Sequence, residues 1–82
     1  MVWIARDRTM VYYDSIVKAR ATAVKMIENR EVRDNVLIFD TKEGKPRGIV
    51  SDYGENHYKY SEYSKKYGKV TYSIYKNGKI IR

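Results

Sequence analysis

Asp14-Ser15-Ile16-Val17-Lys18-Ala19-Arg20-Ala21-Thr22-Ala23-Val24-Lys25-Met26-Ile27-Glu28-Asn29-Arg30 is the stretch whose reading decides the fold. Ile16, Ala19, Ala23, Met26 and Ile27 recur at steps of three and four, the spacing that puts side chains on one stripe of a helix. Val17 and Val24 flank that stripe, while Lys18, Thr22, Lys25 and Asn29 point the other way. Asp14 or Ser15 supplies an oxygen for the free N–H groups of the first turn, so a helix is expected over about 15–30. Arg20 falls on the apolar side and is expected to snorkel at its edge. A single amphipathic helix needs an apolar surface to cover, and the rest of the chain has to provide it.

The residues on either side favour strands. The apolar set holds eight Val and eight Ile but one Leu, one Phe and one Trp, and nine Tyr bring the hydrophobic share to 43%. Val, Ile and Tyr suit pleated surfaces, which argues against an all-helical protein. Val2 to Ala5 and Met10 to Tyr13 are short β-prone runs joined by Arg6-Asp7-Arg8-Thr9, which suggests a hairpin with a four-residue loop. Val36-Leu37-Ile38-Phe39 is the most apolar run and the candidate central strand. A turn at Lys42-Glu43-Gly44-Lys45 returns the chain into Gly48-Ile49-Val50, with Pro46 at a strand start or edge. Near the end, Val70, Tyr72 and Ile74 alternate with Thr71, Ser73 and Tyr75, and Asn77-Gly78 suggests a type I′ turn into Lys79-Ile80-Ile81. Tyr75 would then face Ile80, and Ile74 would face Ile81.

Residues 53–69 admit two readings. Tyr60, Tyr63 and Tyr67 stand at i, i+3, i+7, with Lys65 and Lys66 in a last turn and Gly68 at the C′ position, which suggests a short second helix over about 57–67. Tyr58 and Tyr60 also alternate as in a strand, which gives an extended arm.

The expected architecture is α+β: a small antiparallel β-sheet of about 4–6 strands with one main helix packed on one face. Its 82 residues can bury one core, so residues 1–82 form a single domain. The expected core is Trp3, Ile16, Ala23, Ile27, Leu37 or Ile38, Phe39, Ile49, Val70 and Ile74.

Several chemistries lack their residues. There is no Cys and one His, His57. Disulfides, thiolate zinc sites and cysteine nucleophiles are excluded, and one imidazole cannot build a His-rich metal site. Asp52, Glu55 and His57 are close in sequence, but such loop clusters are normally solvated polar surface. Gly44, Gly48 and Gly54 fit no phosphate-loop pattern and read as turns and a bulge. No catalytic residue, metal or cofactor is assigned, and the protein is expected not to be an enzyme. Charge appears within the first six residues and no long uncharged apolar run follows, so neither signal peptide nor membrane span is expected, and a cytoplasmic location follows.

Arg47-Gly48-Ile49-Val50-Ser51 opens like the basic-Gly motif on the third strand of RNA-recognition domains. That motif stacks bases on aromatics at its third and fifth positions, where this chain has Ile49 and Ser51. No functional residue is carried over from that family.

Charge is the feature that points to a partner. The net charge is +7, and residues 42–82 carry ten basic side chains against four acidic ones. Lys neutralises phosphates and Tyr offers a flat stacking face. The expected function is therefore non-specific nucleic-acid contact through the C-terminal half. Lys59, Lys65, Lys66, Lys69, Lys76 and Lys79 would meet phosphates, and Tyr60, Tyr63 and Tyr75 would serve as stacking platforms. The alternative is a protein-interaction module or inhibitor that binds an acidic protein surface. Tyr as a strand former and Lys as an edge protector supply the plain structural explanation of the same composition. The oligomeric state is left open.

Overall fold

The computed structural model describes residues 1–41 and 44–81. Its elements run β1 (Val2–Arg6), β2 (Thr9–Tyr13), α1 (Ile16–Glu28), β3 (Asn35–Asp40), β4 (Pro46–Asp52), β5 (Tyr58–Ser64) and β6 (Gly68–Ile74). The six strands form one antiparallel sheet in the order β2-β1-β3-β4-β5-β6, with α1 across one face, an α+β domain as expected. β2 and β3 flank β1 and run in the same direction, so the link between them has to cross over β1. The helix makes that crossing.

Ser15 caps α1: its Oγ accepts from the amides of Val17 and Lys18 at 3.1 and 3.3 Å. Ala19, Ala23, Val24, Met26 and Ile27 are buried against Val2, Ile4, Val36, Ile38 and Val50 of the sheet. Ile74 joins that core, Ile16 packs on its margin and Val70 is half-buried. Trp3, Phe39 and Ile49 do not belong to it. They alternate out of phase with Val2, Ile4, Ile38 and Val50 and therefore lie on the sheet's other face, as does Leu37. Continuous apolar runs such as Val2-Trp3-Ile4 carry no alternation from which the inward face could be told.

Turn chemistry departs from expectation at both ends. The first hairpin closes in two residues, Asp7 and Arg8, at φ 54° and 64°, so the primed turn lies here. At the other end Asn77 is not in the left-handed region, and Gly78 alone is, at φ 88°. Gly78 N–H donates to the Tyr75 carbonyl and Tyr75 N–H to the Lys79 carbonyl, at 2.9 and 2.8 Å. That pattern is a type I turn followed by a glycine bulge, and it shifts the register by one: Ile74 faces Ile80. The expected turn at 42–45 falls partly on residues outside the described set.

Residues 57–67 form no helix. Tyr58 and Tyr60 point inward while Lys59 and Ser61 point outward, and β4 and β6 provide ladder partners on both sides. Gly68 does take positive φ, 73°, but at the end of a hairpin, where Ser64 Oγ accepts from the Lys66 and Tyr67 amides. Tertiary pairing overrides the helical spacing of the tyrosines. Among the described residues no helix is long and apolar enough to cross a membrane.

Candidate nucleic-acid interface on the open sheet face

The face of the sheet away from α1 has no covering element among the described residues. Alternation and register place the side chains on it strand by strand. On the β2-β1-β3 side, Tyr12 faces Trp3 and Trp3 faces Phe39, with Met10 opposite Ala5 and Leu37 opposite Ile49 of β4. Trp3 and Phe39 stack, with ring centroids 4.2 Å apart and planes 14° from parallel. Toward β6 the face becomes polar: Ile49 faces Ser61, Ser61 faces Thr71, Lys59 faces Ser73, and Tyr63 faces Lys69. Ser61 and Thr71 share a hydroxyl hydrogen bond of 2.9 Å.

Lys59 and Lys69 are the strand cations on this face, and no Asp or Glu of the described strands points to it. The strand carboxylates Asp40, Asp52 and Glu62 share the phase of Ile38, Val50 and Tyr60, which puts them on the helix side. Lys59 sits with its Nζ 4.7 Å above the Tyr53 ring, and Lys66 Nζ lies 5.4 Å above Tyr67 in the β5–β6 turn. Tyr63, Lys65, Lys66 and Lys69 thus gather at one end of the β5–β6 hairpin, with Lys59 farther along the same face.

The other expected site residues are elsewhere. Tyr60 is fully buried and cannot stack on a base. Its ring lies under the Arg20 guanidinium, 4.9 Å from centroid to Cζ, and its hydroxyl donates to Glu62 Oε2 at 3.1 Å. Burial, together with the Glu62 carboxylate, pushes the Tyr60 hydroxyl well above the ordinary tyrosine value. Arg20 does not snorkel. It is 6% exposed and its Nε donates to the Gly78 carbonyl at 2.7 Å, while burial lowers its pKa against the opposing pull of Tyr60 and Glu62. Lys76 pairs with Glu28 of α1 at 2.8 Å, which raises its pKa. Lys76 and Lys79, with the half-exposed Tyr75, belong to the C-terminal turn and are separate from the Tyr63–Lys69 group.

Asp52 is used locally, accepting from the Gly54 amide at 2.8 Å, and His57 Nε2 lies 3.5 Å from Ser73 Oγ. Sequence reasoning placed Trp3, Phe39, Ile49 and one of Leu37 or Ile38 in the core, because an apolar residue in an apolar run signals core by default; it made no assignment for Tyr12. Comparison of the chain with protein-family models, curated proteins and solved structures finds no match.

Proposed function

We propose that this chain is a small nucleic-acid-binding domain that holds its ligand on the open face of the sheet with little regard to sequence. Lys59, Lys65, Lys66 and Lys69 neutralise phosphates, and Tyr63 offers a stacking surface. The observation that carries this is the sign of the face: its strand positions hold lysines and aromatics and no carboxylate, although the chain has 10 acidic residues. A phosphate strand laid there meets no like charge. Asn35 shares the phase of Leu37 on this face, but its Nδ2 donates to Asp34 Oδ1 at 2.8 Å, and no Gln stands beside it for base-edge readout, which favours backbone-led binding.

The test is a salt titration of binding to labelled DNA and RNA by fluorescence anisotropy. Reversing Lys65, Lys66 and Lys69 to Glu together should weaken binding to every sequence and flatten the log–log salt slope by about 2–3. Reversing Lys18 and Lys25 on α1 should do less. Absence of binding at about 50 mM salt, where electrostatic association is strong, would refute the proposal. The half-exposed apolar end at Met10, Tyr12 and Leu37 favours the second reading, a protein partner, which predicts salt-insensitive and partner-specific binding.

A further inference from the structure

A hollow of about 240 Å³ opens on this face where β3, β4 and β5 meet. Leu37, Pro46 and Ile49 form its apolar lining, Tyr63 is one wall, and Ser61 and Lys69 stand at its rim. It lies beside the bulge at which Ile38 faces Gly48 but Phe39 faces Pro46, skipping Arg47. Bulges re-aim side chains and interrupt pairing, and they recur next to sites. The volume is below the roughly 300–1,000 Å³ typical of pockets for drug-sized ligands, so it suits one ring system.

The wall is free to stack. Tyr63 is 78% exposed, and among the described residues no ring or cation is stacked on it. Its cross-strand partner Lys69 also lines the hollow and brings a cation to it. A flat apolar slot with a cation beside it matches one nucleobase and its adjoining phosphate. Three larger hollows, about 590, 420 and 260 Å³, offer no such match. The first two have arginines beside their carboxylates but no aromatic side chain in their linings, and the third has Phe39, already stacked on Trp3, and no cation.

The geometry points to this hollow as a subsite for one unpaired base of a single-stranded nucleic acid, stacked on Tyr63 with its phosphate on Lys69. The inference rests on the proposed function and narrows its ligand. In a duplex the bases are stacked inside and cannot reach a slot, so the subsite selects single strands.

The test compares three labelled probes of about twelve nucleotides, a length within the known range of single-strand sites: oligothymidylate, oligouridylate, and an abasic strand with the same phosphates. Both base-bearing strands should bind at least about fivefold tighter than the abasic strand, the lower end of base–aromatic stacking. Tyr63→Ala should abolish that difference while leaving abasic binding unchanged. Tyr67→Ala, which removes another exposed tyrosine outside the hollow, should preserve it. Equal binding of base-bearing and abasic strands, or equal effects of the two substitutions, would overturn the subsite and leave phosphate binding standing. No binding by any probe at about 50 mM salt would overturn both.

Discussion

Gly78→Ala is the substitution that most directly tests how the C-terminal turn is held. Gly78 is buried at φ 88°, and a Cβ there would run into the Val17 carbonyl oxygen and stand 2.8 Å from the Ala21 nitrogen. Both atoms are helix backbone and cannot yield, so the turn has to lift away. The left-handed conformation costs alanine about 1–2 kcal/mol. Displacement also breaks the Arg20 bond to the Gly78 carbonyl, and a hydrogen bond to a charged group contributes about 1.5–3 kcal/mol. Together these come to about 3–5 kcal/mol, a large part of the about 4–12 kcal/mol expected for a domain of this length. Gly68 provides the control. It has φ 73°, and a Cβ added to it would meet nothing within 4 Å, so Gly68→Ala should cost the conformational part alone. At about 4–8 °C per kcal/mol, the further cost of about 1.5–3 kcal/mol should make Gly78→Ala melt about 6–24 °C below Gly68→Ala by circular dichroism. Hydrogen exchange should report lost protection at the Tyr75 and Ile81 amides, which donate to Lys79 and Ser73. Melting temperatures within about 4 °C of each other would refute the reasoning.

Ala23 is fully buried under the sheet and Lys25 exposed on the same helix, so Ala23→Asp should cost about 3 kcal/mol or more, whereas Lys25→Asp should lose only about 0.3–1 kcal/mol at the helix end, read in parallel melts. Alkaline stability is the second check. Tyr60 is held neutral in the fold while an unfolded tyrosine ionises near pH 10, so its contribution is complete below about pH 10 and is lost as pH rises beyond it. Denaturant titrations should show Tyr60→Phe falling less steeply above pH 10, by about 1.4 kcal/mol per pH unit, and parallel declines would count against the burial assigned to that hydroxyl.

The helix was legible because one feature, a stripe at Ile16, Ala19, Ala23, Met26 and Ile27, agrees with one start signal at Ser15. The sheet was legible as a set of strands, but its two faces were not. Val36-Leu37-Ile38-Phe39 reads as apolar throughout, and only the partners across β1 and β4 determine that Val36 and Ile38 go inward. The same ambiguity hid half of the candidate site, since Trp3, Leu37, Phe39 and Ile49 carry the signature of core residues. Lys59, Tyr63 and Lys69 were singled out by the interleaving of lysine with tyrosine, and the alternation along β5 and β6 puts all three on the open face. Tyr60 shows the limit of that logic: its phase along β5, not its type, makes it interior. The tail register failed for a similar reason, because Asn77-Gly78 fits both a primed turn and a type I turn with a glycine bulge, and the contact between Gly78 and α1 selects the second.

The basic half of the chain contributes to the core as well as to the open face. A six-stranded sheet is about 24 Å wide and a helix with its side chains about 10 Å, so α1 cannot cover all of one face. It packs over β1 to β4, which leaves the helix side of β5 and β6 short of cover. Tyr58, Tyr60 and the C-terminal turn fill that space, and Arg20 and Glu28 of α1 tie the turn down through Gly78 and Lys76. Some of the tyrosine and lysine that looks like ligand-binding composition is thereby used to complete the core. What is left free is defined by the pleat: every second residue of β5 and β6, namely Lys59, Ser61, Tyr63, Lys69, Thr71 and Ser73, faces the uncovered side. None of these side chains belongs to the buried core, and their contacts, such as the Ser61–Thr71 hydrogen bond and Lys59 over the Tyr53 ring, stay on the open side.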